Sequence, residues 1–400
     1  MKILQILSEN FIYFLIVVEE GFVGLHAVLV LEDGSVFRGK GFGAVGEAIG
    51  EVVFTTGMVG YCESLTDPSY RGQILCFTYP LIGNYGVPSY SHVDYYKLPL
   101  FFESHQIHVT GVIVHEACKT PSHWASVKSF PEWLEEEGIP GIEGIDTRML
   151  VQKLREHGVM MGILSVSEEE VNEAELYRKL CKAEKYSARR FVEEVSPKEP
   201  VFHEIEDSRG TVVVLDCGVK LSIVRCLLKR KFSVVRVPYY YQLHDIMEFK
   251  PCGIVVSNGP GNPVLYEETV STIRDIIDEK LPILGICLGN QLIALALGAS
   301  TFKLKYGHRG LNKPCVDLTT GKSYVTSQNH GYAVDAKSLK GTGLKVWFIN
   351  ADDKTIEGLR HEKLPVISVQ FHPEASPGPL DTAWVFDLFA EMVVKYGVSK

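Results

Sequence analysis

The second half of the chain alternates between short apolar runs and amphipathic stretches. Runs rich in valine, isoleucine and leucine predict strands at 211–216, 233–237, 253–257, 281–284 and 366–371, and the stretches between them, such as 220–231, predict helices. Continuous apolar strands between helices indicate a parallel sheet with both faces covered. We therefore expect an α/β domain with a doubly wound, mostly parallel, flavodoxin-like sheet. A functional site in such a sheet lies at the carboxyl ends of its strands.

The first half has a different pattern, with strand signals from about residue 25 to residue 87. Asp33-Gly34 lies between two apolar runs and predicts a hairpin. Gly41 to Gly46 matches G-x-G-x-x-G, but an apolar strand pattern follows it, so we interpret these residues as turn glycines rather than a dinucleotide site. Helices are predicted from Asp146 to His157 and after a capping box at Ser167–Glu170. This half is predicted to be a β-rich α+β domain.

A polar stretch with two prolines separates these halves and predicts a linker at 196–209. The expected organisation is an extension of unknown role at 1–24, a first domain at 25–195, the linker, and a second domain at 210–400. An apolar run at 11–18 is too short to span a bilayer and lacks signal-peptide features. We therefore expect no membrane association and a cytoplasmic location.

Composition narrows the class of protein further. The 400 residues are 46% hydrophobic and 22% charged, as in ordinary soluble proteins. A formal charge of −9 argues against nucleic-acid binding, which requires a basic surface. The nine cysteines form no C-x-x-C pair and no zinc-finger spacing, so we expect free thiols in a reducing compartment and no metal site.

One of these cysteines has a distinctive setting. Gly285-Ile-Cys287-Leu-Gly289 follows a predicted strand and precedes a predicted helix, which is the arrangement of a nucleophile elbow with sulfur in place of oxygen. The helix directs its first N–H groups and positive dipole end towards the sulfur, which favours the thiolate. An inert core cysteine is the commoner case, but it does not require this strand–turn–helix setting. The pattern predicts a nucleophile that attacks a carbonyl group.

A second predicted strand end supplies the partners that a cysteine nucleophile needs. His372 and Glu374 follow the strand at 366–371, so the imidazole can face the thiol while the carboxylate orients it. A histidine and a glutamate at this spacing are usually incidental, and their position beside the elbow is what favours a triad. Two loops, 257–261 and 328–331, offer backbone N–H, amide and imidazole groups for an oxyanion and a polar substrate. Simple turn chemistry is the alternative for both.

These motifs together resemble the triad-type, class I glutamine amidotransferases. The segments that carry the resemblance are 257–261, 285–291, 328–331 and 372–374. In the first half, five segments resemble the N-terminal domain of the carbamoyl-phosphate synthase small-subunit family, and two segments of the second half agree: 29–34, 50–54, 65–70, 78–84, 144–148, 305–310 and 372–379. The resemblance extends from about Leu25 to the C-terminus.

The resemblance implies roles for particular residues. Cys287 would attack the side-chain amide of L-glutamine to form a thioester, His372 would transfer protons, and Glu374 would orient His372. The implied glutamine-binding residues are Gly57, Gly259, Gly261, Leu288, Gln291, Asn329, Gly331 and Tyr332. Gly57 stands where some members have a serine, and Asn290 replaces a frequent histidine, so altered affinity rather than lost chemistry is expected.

The chain contains no phosphate-binding loop of the G-x-x-x-x-G-K-[ST] type. The resemblance implies instead that a large partner subunit binds ATP, bicarbonate and magnesium, receives the ammonia and makes carbamoyl phosphate for arginine and pyrimidine synthesis. No cofactor is then expected in this chain, which would form a heterodimer or an oligomer of heterodimers. The alternatives are an amidotransferase subunit of another synthase, which the first-half motifs oppose, and a non-catalytic regulatory subunit, which retention of the triad opposes.

Overall fold

A computed structural model describes residues 24–397. The expected N-terminal extension, apart from its last residue, and the apolar run at 11–18 lie outside this range. Within residues 24–397, no helix combines the length and apolar character needed to cross a bilayer.

Strands of the first half close into a barrel, beside which lies a two-stranded ribbon. The strands are β1 (His26–Leu31), β2 (Val36–Gly43), β3 (Gly46–Thr55), β4 (Gln73–Phe77), β5 (Leu81–Ile82), β6 (Gly111–Ile113), β7 (Glu116–Ala117), β8 (Pro140–Glu143) and β9 (Met160–Ser167). The order around the barrel is β1-β2-β8-β6-β4-β3-β9, and β5 pairs with β7. The helices are α1 (Tyr61–Leu65), α2 (Phe130–Glu136), α3 (Thr147–His157), α4 (Glu173–Lys182) and α5 (Val192–Val195).

Local sequence signals in this half were mostly reliable. The hairpin at Asp33-Gly34 is confirmed, with Val30 opposite Val36 across β1 and β2. Gly46 begins a strand, which confirms that the G-x-G-x-x-G segment is not followed by a helix. Asp146 caps α3 as predicted, accepting a hydrogen bond from the backbone N–H of the third helical residue at 2.8 Å.

The predicted capping box at Ser167 is wrong. Ser167 is the last residue of β9 and pairs with His26 of the neighbouring strand β1, so the chain there is extended. Helix α4 begins later, at Glu173, after Asn172 accepts a hydrogen bond from the N–H of Glu175 at 3.2 Å. Closure of the barrel requires the longer strand, and this non-local pairing outweighs the local cap signal.

The second half is built on one ten-stranded sheet. Its strands are β10 (Val201–His203), β11 (Thr211–Asp216), β12 (Ser233–Pro238), β13 (Pro251–Val256), β14 (Ile283–Ile286), β15 (Thr301–Asp317), β16 (Ser323–Val334), β17 (Leu344–Asn350), β18 (Ile356–His361) and β19 (Val366–Val369). Their order is β10-β12-β11-β13-β14-β19-β18-β17-β15-β16. The helices are α6 (Leu221–Lys229), α7 (Leu243–Met247), α8 (Glu267–Asp278), α9 (Leu288–Ala296) and α10 (Trp384–Tyr396).

Helices cover both faces of the parallel part of this sheet. Val212 and Val214 of β11 pack on the side of α6 and α10, whereas Val213 and Leu215 pack on the side of α7, α8 and α9. Successive strand residues point to opposite faces, so strands buried on both sides contain continuous apolar runs. The predicted mixed α/β class is confirmed.

Two details of the sheet differ from expectation. Strands β12, β11, β13, β14 and β19 are parallel, but β10, β15, β16, β17 and β18 pair antiparallel, so parallel pairing covers only about half of the sheet. The residues at 201–203, which fall inside the predicted linker, form a strand that extends the sheet edge beside β12. The domain boundaries themselves remain a prediction.

The topology brings the predicted nucleophile and base together. Strands β14 and β19 are parallel neighbours in which Ile286 lies opposite Val369. Cys287 follows the first strand immediately, and His372 follows the second after two intervening residues. Both residues therefore leave the sheet at the same edge.

Candidate active site

Cys287 occupies a strained turn between β14 and α9. Its φ of 55° and ψ of −101° are unusual for a residue that carries a Cβ atom, and such strain costs roughly 1–3 kcal/mol. The backbone N–H of Cys287 donates to the carbonyl oxygen of Val369 at 2.8 Å, which fixes the turn to the end of β19. Its Sγ atom lies 3.6 Å from the carbonyl oxygen of Asn329. The turn holds the thiol at the carboxyl edge of the sheet.

The glycines that flank this cysteine are required by close packing. A Cβ atom on Gly289 would lie 2.0 Å from the carbonyl oxygen of Val256 at the end of β13. A Cβ atom on Gly285 would lie 2.5 Å from the side chain of Ile293 on α9. Because neither glycine carries a Cβ atom, α9 can start in direct contact with the sheet.

His372 and Glu374 form the predicted buried pair. Nδ1 of His372 donates to Oε1 of Glu374 at 2.6 Å, which leaves Nε2 as the nitrogen available to the thiol. Among residues 24–397, Nε2 has no hydrogen-bond partner. Burial disfavours the charged imidazole, but the Glu374 carboxylate and a contact with Cys287 outweigh it and raise the pKa of His372 to about 10.

Lys220 supports this pair, and the sequence reasoning missed it. Its Nζ atom donates to Oε1 of Glu374 at 3.0 Å and to the carbonyl oxygen of Ala375. Burial would raise the pKa of Glu374, but Lys220 and His372 lower it to about 2. Lys220 is the N-cap residue of α6, where a cation opposes the helix dipole, and this unfavourable position was the available signal.

One cavity joins the thiol to most of the predicted glutamine-binding residues. It is lined by Cys287 and by Gly259, Gly261, Leu288, Gln291, Asn329, Gly331 and Tyr332. Gly57 is not among the lining residues, and a Cβ atom there would lie 3.3 Å from the side chain of Leu311. Seven of the eight predicted positions therefore surround one space beside the nucleophile.

One expectation for a polar group needs correction, and one further residue lies away from the cavity. The N–H of Gly261 donates to the hydroxyl oxygen of Tyr186 at 3.2 Å, so it is not free to bind an oxyanion. The side chain of Asn290 is completely buried between Gln370, to which it donates at 3.1 Å, and Ser368, from which it accepts at 2.8 Å. Asn290 therefore links α9 to the sheet instead of facing the cavity.

The side chains of the polar segment at 328–331, which lies on β16, point alternately to the two faces of the sheet. The amide of Gln328 donates to Thr326 and Cys315, and Nδ1 of His330 is bonded to the carbonyl oxygen of Tyr332. Asn329 points the other way, and its amide donates to Asp67 of the first half at 3.0 Å. Neighbouring residues of a strand face opposite sides, so Gln328 is directed away from the thiol.

Comparison with known proteins agrees with this geometry. Residues 29–164 match the family model described as carbamoyl-phosphate synthase small chain, CPSase domain, and residues 213–392 match the one described as glutamine amidotransferase class-I. The carbamoyl phosphate synthase small chain of Pyrococcus furiosus is 52% identical over 93% of this chain and 99% of its own length. The chain belongs to the carbamoyl phosphate synthase small-chain family.

Other relatives cover similar shares of the chain. The small chain of Sulfolobus acidocaldarius is 51% identical over 91% of this chain and 96% of its own length. The carbamoyl phosphate synthase arginine-specific small chain of Saccharomyces cerevisiae is 48% identical over 92% of this chain and 89% of its own length. The chain is thus matched along both halves.

The structure gives a physical role to one of the first-half motifs, the segment at 65–70. Oδ2 of Asp67 accepts a hydrogen bond from the amide of Asn329, and Oγ of Ser69 accepts one from the amide of Asn258 at 2.9 Å. Asn258 and Asn329 belong to the two polar loops that flank the cavity. A loop of the barrel therefore fixes both loops of the second half.

The cavity also contains charged residues to which the sequence analysis assigned no role. Glu51 of the barrel accepts hydrogen bonds from Lys303 and Gln73, so its charge is compensated. Arg309 is 4% exposed, and no ion pair joins it to a carboxylate among residues 24–397. Its Nε atom is buried without a partner. An uncompensated guanidinium in a substrate cavity favours an anionic ligand group.

Proposed function

We propose that this chain is the glutamine-hydrolysing subunit of a carbamoyl phosphate synthase, which releases ammonia from L-glutamine and passes it to a large synthetase subunit. The observation that carries the proposal is the shared cavity: the strained Cys287 thiol and seven of the expected glutamine contacts line it, and the imidazole of His372 contacts that cysteine. The small-chain match over residues 29–164 opposes an amidotransferase that serves another synthase.

The geometry supports acyl transfer in two steps. The Cys287 sulfur, whose proton passes to His372, attacks the side-chain carbonyl carbon of glutamine, and the C–N bond breaks as His372 donates that proton to the departing ammonia. His372 then removes a proton from water, which attacks the thioester; the C–S bond breaks, His372 returns the proton to the sulfur, and glutamate and the free thiol are released. Glu374, fixed by Lys220, holds the imidazole in the tautomer that directs Nε2 at the reacting atoms.

Backbone and charged groups would hold the substrate during these steps. The N–H groups of Gly259 and Leu288, two residues of the cavity wall, would bind the developing oxyanion. We assign the α-carboxylate of glutamine to Arg309, the uncompensated cation of the cavity. Arg309→Lys is expected to raise the KM for glutamine by about tenfold or more with little change in kcat, since a guanidinium binds a carboxylate with two parallel bonds. An unchanged KM would exclude this assignment.

The partner surface is proposed beside the Glu374 loop. A second cavity lies on the far side of Glu374, and the exposed side chains of Val59 and Leu380 are on its wall. Met58, next to it, is 66% exposed. Apolar residues around an opening that adjoins the reacting groups are suited to a protein partner that receives ammonia without loss to solvent. The large subunit would bind ATP, bicarbonate and magnesium, and its product would serve arginine and pyrimidine synthesis.

The deciding experiment measures carbamoyl phosphate from bicarbonate, ATP and either glutamine or ammonia, with this chain and a purified large subunit. Cys287→Ser is expected to abolish synthesis from glutamine and preserve synthesis from ammonia. Leu380→Glu is expected to keep glutamine hydrolysis and weaken its coupling to synthesis. Hydrolysis of glutamine without carbamoyl phosphate, even with the cognate large subunit, would contradict the proposed acceptor.

A further inference from the structure

A second buried cluster of histidine and glutamate lies in the antiparallel part of the sheet. His308 on β15, His330 on β16 and Glu357 on β18 are all buried, and one potential ligand atom of each lies within 4.8 Å of the others. His308 and His330 are opposite each other in the ladder of the two strands. The cluster therefore joins three strands at one point.

The hydrogen bonds on the outer side of each ring determine which atoms face inwards. Nε2 of His308 lies 2.8 Å from Oδ2 of Asp353, and Nδ1 of His330 lies 2.9 Å from the carbonyl oxygen of Tyr332. Both of these partners can only accept, so the outer nitrogen of each ring carries the hydrogen. In neutral rings, the inner nitrogens therefore present lone pairs.

These two lone pairs face a carboxylate, which is also an acceptor. Oε1 of Glu357 lies 3.3 Å from Nδ1 of His308 and 3.6 Å from Nε2 of His330. The nearby donor is the amide of Asn350, at 3.5 Å from both His308 and Glu357, which is the outer limit of a hydrogen bond. Nε2 of His330 and Oε2 of Glu357 are buried without any partner among the described residues. Three converging acceptors require a cation between them.

We propose that His308, His330 and Glu357 form a structural site for a divalent transition metal, with Zn²⁺ as the best fit. Zn²⁺ takes imidazole nitrogen and carboxylate oxygen at about 2.0–2.2 Å, and tetrahedral ligands at that distance are separated by roughly 3.3–3.5 Å. The two separations from Oε1 of Glu357, 3.3 Å and 3.6 Å, are close to this spacing, and the inner atoms of the two histidines lie within 4.8 Å of each other. Asp353 and the Tyr332 carbonyl provide the outer hydrogen bonds that metal-bound histidines usually make.

The position of the cluster gives the ion a function. The pairing of β15 with β16 is irregular on both sides of His308, with register shifts at 303–308 and 310–313. A metal there would fix the strands where the ladder is interrupted. Asn329 and Gly331, the neighbours of His330 on β16, line the glutamine cavity. The ion would thus stabilise the strand that carries two substrate contacts.

The test uses the full-length chain with Cys287→Ser, so that the reactive thiol does not bind the probe. After chelator treatment and its removal, one equivalent of Zn²⁺ is expected to bind and to raise the unfolding temperature. Glu357→Gln should weaken binding at least about 100-fold, and Asp353→Asn about 10–100-fold. Glu362→Gln, on the exposed end of the same segment, is the matched control and should bind as the parent does.

Co²⁺ provides a second readout of the ligand types. Its visible spectrum should show bands of nitrogen and oxygen ligation without a thiolate charge-transfer band. Absence of a tight equivalent, equal affinity in the parent and Glu357→Gln, or a thiolate band would each overturn the proposal. If no equivalent of metal binds tightly, a proton shared among His308, His330 and Glu357 is the cation that the cluster holds instead. If Glu357→Gln does not fold, Asp353→Asn decides, because its side chain is partly exposed.

Discussion

Two buried clusters in this protein both combine histidine with glutamate, and they differ in the charged group that lies next to the glutamate. In one, Glu374 lies between His372 and the ammonium group of Lys220. In the other, Glu357 faces two imidazoles, and its ion-pair partners within residues 24–397 are those two histidines alone. In the first cluster, Lys220 balances the charge of Glu374, and one ring nitrogen of His372 stays free for chemistry. In the second cluster, no lysine lies beside Glu357 among the described residues, and the acceptor atoms that face one another there call for a bound cation. The counter-charge, more than the residue types, determines the role of each cluster.

The largest effect that separates the clusters is expected from Glu374→Gln. An amide cannot hold the imidazolium or its tautomer, and it leaves Lys220 buried with a weaker partner. The kcat for glutamine hydrolysis should fall about 10³–10⁴-fold, and the folded state should lose roughly 3–5 kcal/mol. Steady-state glutaminase kinetics and denaturant unfolding measure the two quantities. A loss below tenfold would show that His372 does not depend on Glu374.

Lys220→Met is expected to have a smaller effect, because Glu374 keeps its bond to His372. Loss of the ammonium would raise the pKa of Glu374 towards its ordinary value, and kcat should fall by about 10–100-fold. The double variant with Glu374→Gln should be less impaired than the product of the single effects, because the two residues share one interaction. Independent, multiplying effects would mean that Lys220 acts elsewhere.

The pH dependence of stability should distinguish wild type from Glu374→Gln. The lowered pKa of Glu374, about 2, contributes stability above the ordinary value of roughly 4.3, and this is lost as pH falls through 2. The raised pKa of His372, about 10, contributes stability that is complete below roughly 6.5 and declines as pH rises to 10.

The wild-type advantage in unfolding free energy should therefore be largest between about pH 4.5 and 6.5 and decrease on both sides. Urea unfolding of both proteins across this range provides the measurement. An advantage that stays constant from pH 6.5 to 10 would show that the carboxylate does not hold the imidazole protonated.

Glu357→Gln should change catalysis least. Glu357 contacts the cluster of His308 and His330 rather than the thiol, so kcat should fall less than about tenfold, with the main effect on KM through Asn329. The glutaminase assay used for Glu374→Gln makes the comparison direct. Equal losses in the two variants would remove the distinction between the clusters.

Local sequence features predicted elements well wherever a single segment supplied the cause. Asp146 capped a helix, Asp33-Gly34 formed a hairpin, and the strand–turn–helix around Cys287 was located correctly. Prediction failed where a distant partner decided the structure. Ser167 became the end of a strand because the barrel closes through it, and the predicted linker contributed a strand because a sheet edge was available.

The sequence alone predicted the nucleophile, the residue types of the triad and the family resemblance, because each is visible in short motifs of neighbouring residues. Only the tertiary structure decided which side chains share a cavity, since Glu51, Tyr186 and Arg309 reach it from separate segments. It also decided that His308, His330 and Glu357 converge. Spacing along the chain does not contain these distances, because strand order and register in the folded sheets set them.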